Sequence, residues 1–435
     1  MSAASVREVA EAAKRASRSL ASLDETKRNR LLGAMASALE QSATELFTAS
    51  RADMQHATTR SADDALPAST LSRLKLTDDK LHEMVEQVRS VAALPDPLNR
   101  KLDEIELDEG LHLEKISVPL GVLAVIFEAR PDAVTQIASL GLKSGNAVIL
   151  KPGREVEHTA KAIVRVLRAA LASEGIPEDA ISLVLERESV AELLAMHDLV
   201  DMVIPRGSKS LVEYVQANTR IPVLGHSEGI CHIYVDRAAD QELSLRVIDD
   251  AKLDYPAACN AVETVLVHRD IAREFLPRLL TRLRERGVIV HGDEQVRTSS
   301  SEVLPIAAWH CEYGEPELAV GVVDSLDAAI EHIHKHGSSH TESILTEDAD
   351  AAERFLREVD AAGVFHNAST RFADGFRYGF GAEVGISTSK LHARGPVGLE
   401  GLTTYKYVLR GHGHIAGDYR GASARAFTHR REANR

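Results

Sequence analysis

Residues 121–152, GVLAVIFEARPDAVTQIASLGLKSGNAVILKP, decide the fold. GVLAVIFEA is an unbroken apolar run, PDAVTQIASLGLKSG opens on proline with apolar residues at helical spacing and ends on glycine, and NAVILK is a second unbroken run. Two strands apolar on both faces, separated by a helix, describe a parallel β-α-β unit in a sheet covered on both sides. The alternation continues downstream: EVEHTAKAIVRVLRAALASEG (155–175) reads as helix, ISLVLE (181–186) as strand, ESVAELLAMH (188–197) as helix, VDMVIP (200–205) as strand and SKSLVEYVQANT (208–219) as helix. This is a doubly wound α/β pattern, the kind of sheet that binds nucleotides at the carboxyl ends of its strands. ICHIYVD (230–236), LSLRVIDDAKL (243–253) and VETVLVH (262–268) open a second α/β lobe that runs to about residue 365.

Upstream of this block, residues 1 to about 93 read as helix after helix, with a polar break at SADDALPAST (61–70). LPDPLNRKLDEIELDEGLHLEKISVPLG (94–121) changes to extended or hairpin character and predicts a projecting strand element. The 435 residues suffice for two or three domains, and a net charge of −14 argues against a general nucleic-acid or anionic-membrane surface. Three cysteines, at 231, 259 and 311, include no CxxC pair, so neither a disulfide framework nor a zinc site is indicated, and a reducing cytoplasm fits best. The amino terminus lacks an export-signal core, and no segment has the roughly 18 apolar residues of a membrane span.

Three loops carry chemistry. Lys151-Pro152-Gly153 joins a strand to a helix where a ribose or phosphate would bind; the alternative is a turn with a solvated lysine. Arg206-Gly207-Ser208 does the same, with amides suited to a phosphate or with Ser208 as an ordinary helix cap. Neither has the GxGxxG pattern of a conventional dinucleotide fold. Cys259 sits in DYPAACNAVETVLVH (254–268), on a small-residue loop entering a strand: a nucleophile able to hold an acyl group as a thioester, or a small buried hydrophobe. The run HIHKHGSSH suggests metal binding by His332, His334, His336 and His340, but helical spacing would scatter the rings, and Cys231 and Cys311 read as structural.

Together the strings VPLGVLAVIFEARPD, SGNAVILKPGRE, VDMVIPRGSKSLVEYV, GICHIYVD, DYPAACNAVETVLVH, SSHTESILT, HNASTRFADGFRYGFGAEVGISTSKLHARGP and LTTYKYVLRG resemble the aldehyde dehydrogenase superfamily, and within it the gamma-glutamyl phosphate reductase family. The resemblance implies an aldehyde-dehydrogenase-like fold: an NADPH-binding domain from 1–97 and 117–227, a catalytic domain from 228–398, and a β oligomerisation element from 98–116 and 399–420. It implies NADPH-dependent reduction of L-glutamate 5-phosphate to the 5-semialdehyde with Cys259 as nucleophile, the second step of proline synthesis from glutamate.

Cofactor binding then falls to Lys151, Pro152, Gly153, Arg206, Gly207, Ser208 and Glu312, and substrate binding to Arg130, Asn367, Ser369, Thr370, Arg371, His392 and Arg394. Where hydrolytic members carry a water-activating glutamate, this chain reads IPVLGHSEG with Pro222 and Val223, and neither can act as a base. The implied partners are glutamate 5-kinase as supplier of a labile acyl phosphate and further copies of the chain, as a homodimer or larger assembly in the cytoplasm. A CoA-acylating dehydrogenase and a catalytically silent scaffold are the competing readings.

Overall fold

The computed structural model describes residues 5–59, 71, 73–186 and 188–431. The polar break expected at 61–70 lies outside the described residues. The chain divides into two units, one formed by 1–224 with 398–435 and the other by 225–397.

The first unit begins with helices α1 (Val6–Ala21), α2 (Glu25–Gln41), α3 (Ala43–Thr58) and α4 (Asp78–Ala93). A capping box starts α1: the Ser5 hydroxyl accepts from the Glu8 amide while the Glu8 carboxylate accepts from the Ser5 amide at 2.7 Å. Strands β1 (Lys101–Asp108) and β2 (Leu111–Pro119) follow as an antiparallel hairpin. Next come β3 (Val122–Phe127), α5 (Asp132–Lys143), β4 (Ala147–Pro152), α6 (Glu157–Ser173), β5 (Ile181–Leu183), α7 (Ser189–Ala195), β6 (Met202–Arg206) and α8 (Lys209–Ala217). The strands make a parallel sheet ordered β5-β4-β3-β6. Every residue of β3 and β4 is buried, which is why both read as unbroken apolar runs. Strand order reverses between β3 and β6, and the crevice beyond their carboxyl ends is where such sheets take ligands.

Side chains from the leading helices close this unit. Asp53 of α3 accepts from the amides of His158 and Thr159 at 2.9 and 2.8 Å, capping α6 from another helix. Asp201 accepts from Lys14 of α1 at 2.7 Å and from the Val122 amide at 2.8 Å, fixing α1 to the start of β3.

The second unit contains β7 (Cys231–Val235), α9 (Gln241–Leu253), β8 (Val262–His268), α10 (Arg269–Glu285), β9 (Ile289–Gly292), α11 (Glu294–Ser299), β10 (Leu304–Pro305), β11 (Glu317–Val323), α12 (Leu326–His336), β12 (Thr341–Leu345), α13 (Ala349–Glu358), β13 (Gly363–His366), and the short antiparallel pair β14 (Ile386–Ser387) and β15 (Gly395–Pro396). Its seven-stranded sheet, ordered β10-β9-β11-β8-β7-β12-β13, is parallel throughout. Strand residues alternate between two cores. Ile233, Val235, Val265 and Val267 pack with Ile248 and Phe275, whereas Tyr234, Leu266 and Ile344 pack with Ile333 and Phe355.

After 398 the chain returns to the first unit. There β16 (Thr403–Arg410) pairs antiparallel with β2 over eight residues and β17 (Arg430–Arg431) pairs with β1, giving a four-stranded sheet ordered β16-β2-β1-β17. Asn146 ties this return to the parallel sheet, donating Nδ2 to the Leu402 carbonyl at 2.9 Å and accepting from the Gly121 amide at 2.7 Å. Among the described residues no helix is long and apolar enough to cross a membrane.

Candidate active site

In the first unit, the loops leaving β3, β4 and β6 gather at the carboxyl edge of the sheet through backbone bonds. The Glu128 amide donates to the Arg206 carbonyl at 3.0 Å, and the Gly153 amide donates to the Phe127 carbonyl at 2.7 Å. Lys151 is no solvated turn residue. It is 6% exposed, donates Nζ to the Pro152 carbonyl at 2.8 Å, and has its ammonium pKa pushed down by burial against the opposing pull of Glu155. Ser208 heads α8 without capping it by its hydroxyl. Its amide instead donates to the Glu128 carboxylate at 2.8 Å. A Cβ on Gly207 would stand 2.8 Å from that carboxylate carbon, so glycine is what lets Glu128 approach. The amide assigned from sequence to a phosphate therefore already holds an anion, as expected for the positive end of a helix. Arg130 follows on the β3 loop, partly buried, in this same unit.

In the second unit, Cys259 lies in the loop between α9 and β8, at the amino ends of the parallel strands, and is partly exposed. His226 precedes β7 and His340 precedes β12, so adjacent strands carry both imidazoles to the same edge. A nitrogen of each ring and the Cys259 sulfur all lie within 4.8 Å of one another, and the two rings meet edge to face at 5.0 Å. His226 Nδ1 lies 2.7 Å from the Ile386 carbonyl oxygen. A carbonyl only accepts, so Nδ1 carries the proton and Nε2 is the basic nitrogen. His340 is fully buried; its Nδ1 lies 2.9 Å from the Thr341 hydroxyl, and its Nε2 has no partner. Neither histidine was singled out from sequence as a neighbour of the cysteine. The helical argument against the His332–His340 run also fails for His340, which stands outside α12. The available signal was that His226 and His340 each sit just before an apolar strand.

Gly229 packs flat against this loop. A Cβ there would lie 2.6 Å from both the Cys259 Cα and its carbonyl carbon. The Gly229 amide donates to the Glu312 carboxylate, whose pKa burial pushes up. Glu312 is thus the expected cofactor residue that the structure brings to the cysteine's own surroundings. Below the loop, Lys252 and Glu263 form a fully buried ion pair at 2.8 Å, with the Glu263 pKa raised to about 7 by burial. Cys231, expected in the core, is fully buried, and burial pushes its thiol up.

The segment 367–373 corrects part of the reading. Asn367 accepts from the Thr346 amide at 3.0 Å and donates to the Thr346 carbonyl at 3.0 Å, at the carboxyl end of β12. Six residues of strand separate Thr346 from His340, roughly 20 Å at the usual rise. Asn367 is therefore a clamp on a strand end, at the opposite edge from Cys259. Ser369 caps the next turn, accepting from the Arg371 amide, and lines with Asn367 a groove of about 730 Å³ between α9, α10 and Phe372 in which Cys259 has no part. The chain then runs back toward the amino edge. Thr370 is fully buried with an unpartnered hydroxyl, and Arg371 pairs with Asp254 at 3.0 Å, shared with Arg377 at 2.8 Å. Asn260, beside the cysteine, donates to the Ala373 carbonyl at 2.8 Å.

His392 and Arg394 share the loop between β14 and β15, whose first strand carries the Ile386 acceptor of His226. Arg394 spends one nitrogen on Asp360 at 2.9 Å, while its Nε and second terminal nitrogen are buried without an acceptor.

Comparison with known proteins agrees with this architecture. The aldehyde dehydrogenase family model matches residues 1–300. The gamma-glutamyl phosphate reductase of Synechococcus elongatus is 54% identical over 426 residues, 97% of each chain, and that of Natronomonas pharaonis is 49% identical over 422 residues, 96% of each. The crystal structure of the gamma-glutamyl phosphate reductase from Thermotoga maritima superposes with a TM-score of 0.92 at 39% identity, covering 94% of this chain and 99% of that one. An acetylating aldehyde dehydrogenase from Geobacillus thermoglucosidasius shares the fold at 17% identity and a TM-score of 0.65. The chain belongs to the aldehyde dehydrogenase family and, within it, to the gamma-glutamyl phosphate reductases.

Proposed function

We propose that this protein reduces L-glutamate 5-phosphate to L-glutamate 5-semialdehyde and phosphate with NADPH, the second step of proline synthesis from glutamate. The observation that carries the reading is Cys259 with its sulfur within 4.8 Å of a nitrogen of each of two imidazoles, in a chain 54% identical to proteins named for this reaction. His226 Nε2 takes the thiol proton. The thiolate forms a bond to the acyl carbon as the carbon–oxygen bond to phosphate breaks, and phosphate leaves with the electron pair. The Cys259 amide polarises the carbonyl oxygen through addition and collapse. The two unsatisfied Arg394 donors offer a bidentate fork to a substrate anion, with His392 on the same loop. Arg371, already committed to Asp254, positions the segment rather than binding substrate.

Lys151 and the Arg206–Ser208 loop suit the phosphates of a nicotinamide dinucleotide, the Ser208 amide being an anion site from which a phosphate would displace Glu128. The cofactor, when bound, would supply the hydride that resolves the thioester, and Cys259 would be released as thiolate. Pro222 and Val223, which stand in place of a water-activating glutamate, form a bridge to β6 and cannot draw water onto the thioester. A glutamate kinase supplying the labile acyl phosphate and a cytoplasmic homo-oligomer complete the proposal.

The test runs the reaction backward, following NADP reduction by L-glutamate 5-semialdehyde with and without inorganic phosphate. Turnover that requires phosphate and disappears in a folded Cys259→Ala variant supports the reading. Turnover indifferent to phosphate overturns it.

A further inference from the structure

We propose that His226, Cys259 and His340 form a reversible binding site for a thiophilic divalent cation such as Zn²⁺, and that the bound ion silences the nucleophile. The donor set is one sulfur and two imidazole nitrogens within 4.8 Å of one another. A tetrahedral zinc with metal–sulfur and metal–nitrogen bonds of ordinary length brings such donors to about 3.3–3.8 Å apart, so side-chain movements of about 1 Å assemble the site. Three protein ligands leave the fourth position to water.

The surroundings of both rings match those of metal ligands. A ligating histidine characteristically commits its second ring nitrogen to an oxygen, which fixes the tautomer and turns the other nitrogen to the metal. His226 commits Nδ1 to the Ile386 carbonyl at 2.7 Å, and His340 Nδ1 faces the Thr341 hydroxyl at 2.9 Å and the Cys231 sulfur at 3.6 Å, so it is Nε2 that is left over. The nitrogen left on His340 is Nε2, buried without a partner on a residue with no solvent exposure, and a buried polar atom in that condition calls for a ligand. Binding forms the metal–sulfur and two metal–nitrogen bonds and releases the thiol proton to solvent. The sulfur lone pair that would attack the acyl carbon is then held by the cation. Occupancy of the site is independent of the proposed reaction; only its inhibitory consequence rests on Cys259 as the nucleophile.

Co²⁺ serves as the probe, because cobalt–thiolate ligation gives a near-ultraviolet charge-transfer band that imidazole alone does not. The reduced full-length protein is titrated with Co²⁺ and then with competing Zn²⁺, without substrates. The expected result is one equivalent of Co²⁺ bound with that band, displacement by Zn²⁺, and loss of the band in Cys259→Ser but not in Cys311→Ser. Affinity falls at least about 10-fold in His340→Ala and in His226→Gln, two variants chosen because His340 is buried and its replacement can perturb folding. Zn²⁺ inhibition of turnover reverses with EDTA. Co²⁺ bound without the band, a band that survives in Cys259→Ser, or an affinity unchanged in both histidine variants overturns the proposal. A failure of the phosphate-dependence test with the cobalt band intact condemns the reaction and spares the site.

Discussion

Gly229→Ala tests how tightly the reacting sulfur is positioned, since the added methyl would stand 2.6 Å from two backbone atoms of Cys259. The Cys259 carbonyl oxygen would be closer still, and ordinary contact begins at 3.4 Å, so the cysteine loop must retreat by about 1.5 Å, and the obstacle is main chain that no rotamer change clears. Misplacement of a reacting group by about 1 Å costs roughly 100-fold in rate, or about 2.7 kcal/mol of transition-state free energy. We expect kcat/KM in the phosphate-dependent assay to fall at least about 100-fold in Gly229→Ala. Alkylation of Cys259 by iodoacetamide, followed on its own peptide by mass spectrometry, should change rate independently of any assumption about substrate. Circular dichroism and a thermal melt separate displacement from unfolding. A folded variant whose kcat/KM stays within about threefold of the parent would show that the Gly229 contact does not set the sulfur's position.

Three further expectations follow from the geometry. Glu128→Gln removes the charge on the Ser208 amide, so an incoming phosphate competes with a weaker acceptor; the KM for the dinucleotide should fall about 2–5-fold, and a rise would mean that Glu128 itself holds the cofactor. Asp53→Ala leaves the two amides at the start of α6 without their acceptor and should cost about 1–3 kcal/mol in urea unfolding, with no change in m; a loss under 0.5 kcal/mol refutes the capping role. Burial lowers the His332 pKa from 6.5 to about 3, so the folded state binds fewer protons than the unfolded chain in that interval, and stability falls as pH drops from about 6.5 toward 3. Glu263, raised to about 7, acts oppositely, its contribution being present below about 4.5 and lost as pH rises through 7. His332→Gln should therefore flatten the acid limb of stability against pH by up to about 1.4 kcal/mol per pH unit between 4.5 and 3, and an unchanged limb refutes it.

The alternation that built both parallel sheets was legible because their inner strands are buried on both faces and so lose polar punctuation, leaving glycine, proline and helical periodicity to mark boundaries. Lys151 and Ser208 stand out in the sequence because a strand-to-helix turn at a carboxyl edge is a local pattern. The surroundings of Cys259 are not local. His226 and His340 reach it through the adjacency of β7, β8 and β12, which no spacing along the chain encodes. Asn367 was misplaced for the same reason: a polar residue after a strand looks available, and only the register of β12 against β13 reveals which edge it occupies. Glu128 was missed because its role arises from a helix 80 residues away that its loop happens to face.

The return of the chain at 398 has a consequence for biogenesis. Residues 225–397 close their own sheet from contiguous sequence, so they can finish folding as they leave the ribosome. The antiparallel sheet cannot: until residue 403 emerges, β1 and β2 are a bare hairpin, marginal by itself and open along the whole edge that β16 will cover. A nascent chain stalled before that point would present β2 to any passing strand, so ribosome pausing inside 225–397 is the interval in which this protein is most exposed to aggregation, and a chaperone that shields strand edges would help it most there.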